Sequence, residues 1–220
     1  MSGRPEELSR FDTGEAVWPD SPDERRLIAA LEHGAPGPAR VVPPGREHIL
    51  AAGAWGSYGS VVVVWRDDED EWLVNDVYLL GRSPGGRWRA PDSSSGSGLP
   101  VWVLDRPWQP LPDWRRSHLV NLGAQLASVA GRWVAELTVM ATWAVVTLEV
   151  RYGGDSITVP VPASGLVTLP GLVRSVDDVA EFRGLDEAGH VRAVEYYRPL
   201  SEFDRKCEWP ARSLRDPSTY

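Results

Sequence analysis

In three runs between residues 133 and 161, apolar side chains fall on every second position. Trp133, Ala135, Leu137 and Val139 alternate with Glu136 and Thr138; Val146, Leu148, Val150 and Tyr152 alternate with Thr147, Glu149 and Arg151. After the turn Gly153-Gly154-Asp155, residues Ile157, Val159 and Val161 alternate with Ser156, Thr158 and Pro160. A helix cannot place i, i+2 and i+4 on one face, whereas a strand does so automatically. The pattern therefore predicts antiparallel strands with one face buried and one wet. Ala180 to Arg183 and Val191 to Tyr197 flank Asp186-Glu187-Ala188-Gly189 and read as a further hairpin.

The first half is punctuated differently. Ser21 can cap a helix whose first turn takes Pro22 and whose Glu24 completes a capping box. Leu27, Ala30 and Leu31 share one face and Gly34 supplies a stop, which predicts a helix over 22–33 within an N-terminal arm of residues 1–40. Strands are expected at Ile49 to Ala54, Val61 to Arg66, Trp72 to Leu80, Arg87 to Ala90 and Leu99 to Leu104, with Pro91 to Gly98 as a flexible loop. Val61-Val62-Val63-Val64 does not alternate, so that strand should be buried on both faces. Pro100, Pro107, Pro110 and Pro112 mark a stiff connection and place a boundary near residue 113. The fold class expected is mainly β with one or two helices. A helix-plus-antiparallel-sheet unit over 41–113 is followed by a β-sandwich over 114–205 and a tail over 206–220.

Within the second half, AVVTLEVRYGG, ITVPVPASGLVTLPG and VAEFRGLDEAGHVRAVEYYRP resemble bacterial immunoglobulin-like or fibronectin-type-III-like modules, over roughly Val129 to Pro199. That resemblance implies a sandwich used as a spacer or a binding surface. Cys207 is the lone cysteine, so the cysteine pair of an antibody-type core is absent.

Motifs for chemistry are missing. His33, His48, His118 and His190 lie at no metal-ligand spacing with one another or with Cys207, so no metal is expected. There is no Gly-x-Ser-x-Gly elbow, no Ser-x-x-Lys and no phosphate loop, so no catalytic residue or cofactor is assigned, and the balance leans away from an enzyme. The run Asp67, Asp68, Glu69, Asp70 and Glu71 is too compact to wrap a calcium ion and reads as a solvated hairpin tip able to meet a basic partner.

Tryptophan is the least ordinary component, at 11 residues against 3 Phe. Arg87, Trp88, Arg89, Trp108, Trp114, Arg115 and Arg116 could stack as cation–π pairs on a partner-binding surface. Alternatively the indoles fill the core and the Arg stems cover them, or the same composition meets single-stranded nucleic acid, whose bases stack on aromatics. A net charge of −8 argues against nucleic acid and anionic membranes and suits a basic protein partner. Arginine supplies 22 of the 23 basic residues, which reads as the codon bias of a GC-rich bacterial genome.

Leu137 to Val150 is interrupted by Thr and Glu and is too short for a membrane span, and the charged N-terminus lacks an apolar leader. With the single cysteine, these features predict a cytoplasmic location. The function expected is a non-enzymatic protein–protein interaction module, a component or regulator of a larger bacterial assembly. Two alternatives stand beside it. One is an immunity or antitoxin protein that neutralises a basic toxin. The other is a small-molecule-binding protein or enzyme using a pocket in the N-terminal unit. The oligomeric state is left open.

Overall fold

The computed structural model describes residues 24–36, 42, 45–66, 72–89, 93–104, 106, 117–123, 126–129 and 131–199. Among them are one α-helix and three antiparallel sheets, so the chain is mainly β. Helix α1 (Glu24–His33) lies over a meander of β1 (His48–Trp55), β2 (Tyr58–Arg66), β3 (Trp72–Gly81) and β4 (Ser93–Pro100).

The unbroken valine run explains how this first sheet is covered on two sides. Val61 and Val63 pack with Leu27 and Ala30 of α1, together with Ile49, Tyr78 and Leu80. Val62 and Val64 point the other way, among Leu50, Leu73 and Val77. Close approach of the helix depends on Gly59, where a Cβ would stand 2.6 Å from Leu31 Cδ1.

Two expectations for this region are corrected. Residues 93–98 are strand, pairing along β3 from Leu79↔Ser93 to Trp72↔Pro100. The strand expected at 99–104 ends at Pro100 and gives way to a 3₁₀ turn, Val101–Leu104. Serine and glycine are poor strand formers, but a ladder uses backbone groups alone, and the open edge of β3 supplies them. The strand expected at Arg87 to Ala90 reduces to an isolated bridge, Arg82↔Trp88.

The second half contributes β5 (Leu119–Gly123), β6 (Leu126–Val129), β7 (Arg132–Ala141), β8 (Thr147–Tyr152), β9 (Asp155–Pro160), β10 (Leu166–Leu172), β11 (Ala180–Leu185) and β12 (Val191–Tyr197). The second sheet runs β10-β7-β5, with β6 also paired to β7; the third runs β12-β11-β8-β9. Leu137 and Val139 of β7, Leu148 and Val150 of β8, Leu169 of β10 and Phe182 of β11 share one apolar core between these two sheets.

The alternation in β7 predicts a wet face for Glu136 and Thr138, and this too is corrected: both are buried, as is every residue from Val134 to Ala141. A third layer is the reason. Val120, Met140 and Leu166 of the second sheet join the core beneath the first sheet, so apolar packing continues across residue 113. The stack is thus helix, sheet, sheet, sheet. At one seam the layers touch through backbone: a Cβ on Gly53 of β1 would lie 2.0 Å from the carbonyl oxygen of Thr168 on β10. No side chain larger than hydrogen fits there.

Arg106 closes another seam. Its buried guanidinium donates to the carbonyls of Ala141 (3.1 Å), Pro162 (3.1 Å), Thr142 (2.9 Å) and Val145 (2.5 Å). Trp143 covers it, with the ring centroid 4.4 Å from Cζ. Desolvation lowers the Arg106 pKa from its ordinary value, and the four carbonyl acceptors give the buried cation its hydrogen-bond partners.

Candidate functional site

The Arg/Trp candidates divide. Trp88 is buried under α1, and the Arg82 guanidinium stacks on it at 4.2 Å from the ring centroid. Its indole Nε1 has no hydrogen-bond partner. Arg87 and Arg89 on either side are exposed. Trp108, Trp114, Arg115 and Arg116 lie outside the described residues, as do Asp67, Asp68, Glu69, Asp70 and Glu71.

A surface that sequence reasoning did not single out lies on the third sheet. Four large hydrophobic residues are exposed among the described residues, and three of them sit on β12: Val191 at 52 %, Val194 at 39 % and Tyr196 at 66 %. The register sets Tyr196 beside Glu181 and Val194 beside Arg183 on β11; beyond them come Arg151 and Glu149 of β8. Glu181 binds Arg183 at 2.5 Å and reaches Arg151 at 4.0 Å. The result is a charge-balanced patch bordered by exposed apolar side chains.

The β11–β12 turn holds this edge in shape. Asp186 accepts the backbone N–H groups of Ala188 (3.0 Å) and His190 (2.8 Å) and pairs with Arg192 at 2.8 Å. The His190 N–H above all holds its carboxyl below the usual range; desolvation opposes this, and the Arg192 charge and the Ala188 N–H add to the lowering. A bulge between Gly184 and Leu185 twists the end of β12, a device that discourages another chain from extending the sheet.

Polar groups also gather between the first and second sheets. Ser60 Oγ of β2 lies 2.7 Å from Thr168 Oγ1 of β10, which lies 3.0 Å from Thr138 Oγ1 of β7. Thr138 in turn donates to Glu136. Burial pushes the Glu136 carboxyl, 3 % exposed, up to about 7, against a smaller opposite effect of the Thr138 hydroxyl. Burial, and then the charge of Glu136, pushes the Tyr197 phenol up to about 12. A hydroxyl has one proton. When Glu136 is ionised, Thr138 commits its proton there and must accept from Thr168. The arrangement can hold a proton near neutrality, but it is sealed from solvent.

Two concavities open at seams between sheets. One, of about 440 Å³, lies between β1 and β10 and is walled by small apolar residues such as Ala51, Gly53 and Ala163. The other, of about 430 Å³, is lined by residues of all three sheets and includes Trp55, Tyr58, Arg132 and Arg174. The space between α1 and the first sheet is instead filled by side chains. No group of three His, Cys, Asp or Glu side chains able to hold a metal occurs among the described residues. Nor is any helix among them long and apolar enough to cross a membrane.

Comparison with protein-family models, curated proteins and solved structures finds no match to this chain.

Proposed function

We propose that this chain is a non-enzymatic protein-binding module that acts through the outer face of its third sheet. The observation that carries the reading is the clustering of exposed Val191, Val194 and Tyr196 on one edge strand. Exposed apolar residues are ordinary when scattered, but a group beside satisfied charges is the composition of a contact surface. Tyrosine suits such a surface, since it offers a large contact area for little lost side-chain entropy.

We further propose that residues 117–199 form an immunoglobulin-like module. Its support is strand order. With β5 and β6 taken as A, β7 to β9 as B, C and C′, and β10 to β12 as E, F and G, the two sheets read E-B-A and G-F-C-C′. The partner on this reading is another protein of a bacterial cytoplasmic assembly, of which the chain is a component or regulator. The single cysteine and the net charge of −8 support that setting.

The test compares affinity capture from native lysate by the full chain and by a Val194→Glu, Tyr196→Ala double variant, with the distant Arg82→Gln as control. A partner held stoichiometrically by the wild type and the control but lost by the double variant is expected. Equal capture by all three, or no stoichiometric partner for the wild type, refutes the reading.

A further inference from the structure

We infer that the concavity of about 430 Å³ at the end of the stack is a binding site for a small organic anion with a flat apolar body, of the aryl carboxylate class. This site is separate from the β12 surface, and its walls come from distant parts of the chain. The β1–β2 turn brings Trp55 and Tyr58, the first residue of β7 is Arg132, and the β8–β9 hairpin brings Tyr152 and Asp155. Arg174 follows β10. Pockets formed where separate layers meet are common ligand sites, because several independent walls converge on one volume.

The chemistry of the walls selects the ligand. Trp55 and Tyr58 line the concavity and are only partly buried, each packing against a different core. Tyr152 packs closely on Gly171, where a Cβ would stand 2.5 Å from its ring, which leaves no side chain between the ring and the β10 backbone. Burial above all, then the Asp178 and Tyr197 charges, pushes the Tyr152 phenol far above its ordinary value, so it stays neutral.

The two arginines differ in their commitments. Arg174 is held by Asp155 at 2.5 Å and by the Gly153 carbonyl. Arg132 is exposed and has no ion pair among the described residues. The lining therefore carries Arg132, Arg174 and Asp155, a local charge of +1 in a chain of −8. A guanidinium at the rim of an aromatic-walled cavity recognises a carboxylate by paired hydrogen bonds while the aromatic rings take the apolar body. A neutral sugar would use the same rings but leave Arg132 without its counter-charge.

The test uses 3-phenylpropionate, its amide and glucose as probes of the full chain. The indole N–H of Trp55 is followed by NMR and assigned by its disappearance in Trp55→Phe. Saturable shifts with the acid are expected, with the amide binding about tenfold more weakly, as loss of one charge-assisted contact implies. Arg132→Gln should weaken the acid by the same factor and leave the amide unchanged, while Arg132→Lys restores part of the loss. Because Arg132 is exposed, these variants should keep the fold, and an unchanged amide spectrum checks this. Acid and amide binding equally, glucose binding in their place, or no saturable shift with any probe overturns the assignment.

Discussion

Strand β7 is the same stretch of backbone seen from two sides, and the two sides are built on opposite principles. Toward the third sheet it presents Ala135, Leu137, Val139 and Ala141, packed on Leu148, Val150 and Phe182 with no polar atom of their own side chains. Toward the first sheet it presents Glu136 and Thr138, tied by hydroxyls to Thr168 and Ser60. An apolar interface is stabilised in proportion to buried area and tolerates sliding among similar shapes. A buried polar network is fixed in register by its hydrogen bonds, yet its carboxyl responds to pH. Two neighbouring interfaces should therefore answer differently to the same perturbation.

The largest effect is expected on the apolar side. Phe182→Ala empties a site between the second and third sheets and should lower stability by about 4 kcal/mol in urea denaturation, equally at pH 5 and pH 8. A loss that changed markedly with pH would erase the contrast between the interfaces.

On the polar side the sign reverses. The Glu136 carboxyl titrates near 7 in the folded chain against an ordinary 4.5, so the folded state binds the proton more tightly than the unfolded one. Below 4.5 both states are protonated and the group is neutral to stability. As pH rises from 4.5 to 7 the unfolded chain ionises first and folding loses up to about 3 kcal/mol, at ~1.4 kcal/mol for each pH unit. Glu136→Gln should accordingly raise stability by up to about 3 kcal/mol at pH 8 and change it little at pH 4. Destabilisation at pH 8 would mean that the charge is compensated in place.

Smaller still is Thr168→Val, which keeps the shape but leaves Ser60 and Thr138 without their common neighbour; a loss of about 2 kcal/mol is expected. At the far end of the scale, Tyr196→Ala on the outer face should move stability by no more than about 0.5 kcal/mol while abolishing partner capture. A large thermal shift from that variant would make Tyr196 a structural residue.

The same contrast explains what could be read from residues alone. Period-two alternation located β7 to β9, and the turn at Asp186 to Gly189 located β11 and β12, because side-chain direction in a strand and turn chemistry are local properties. The valine run revealed a strand covered on both sides for the same reason. Which surface covers the other face is not local: Glu136 and Thr138 have the letters of a wet face, and only the arrival of the first sheet buries them. Ser93 to Gly98 misled for a related reason, since its pairing depends on the edge of β3 and not on its own composition. The outer patch was half legible. Val194 and Tyr196 were visible as strand residues, but their exposure depends on which face of the third sheet is left uncovered, a fact of tertiary packing. The concavity with Arg132 was not legible, since its walls are separated by up to 119 positions, from Trp55 to Arg174.

Arg106 has a consequence for how the chain tolerates being cut. Its four acceptors are main-chain carbonyls, which no substitution at Ala141, Thr142, Val145 or Pro162 can delete. A nick between residues 106 and 117 would strand that cation on one fragment and its acceptors on the other. The two fragments should then behave as a complementation pair, each ill-formed alone and reassembling when mixed.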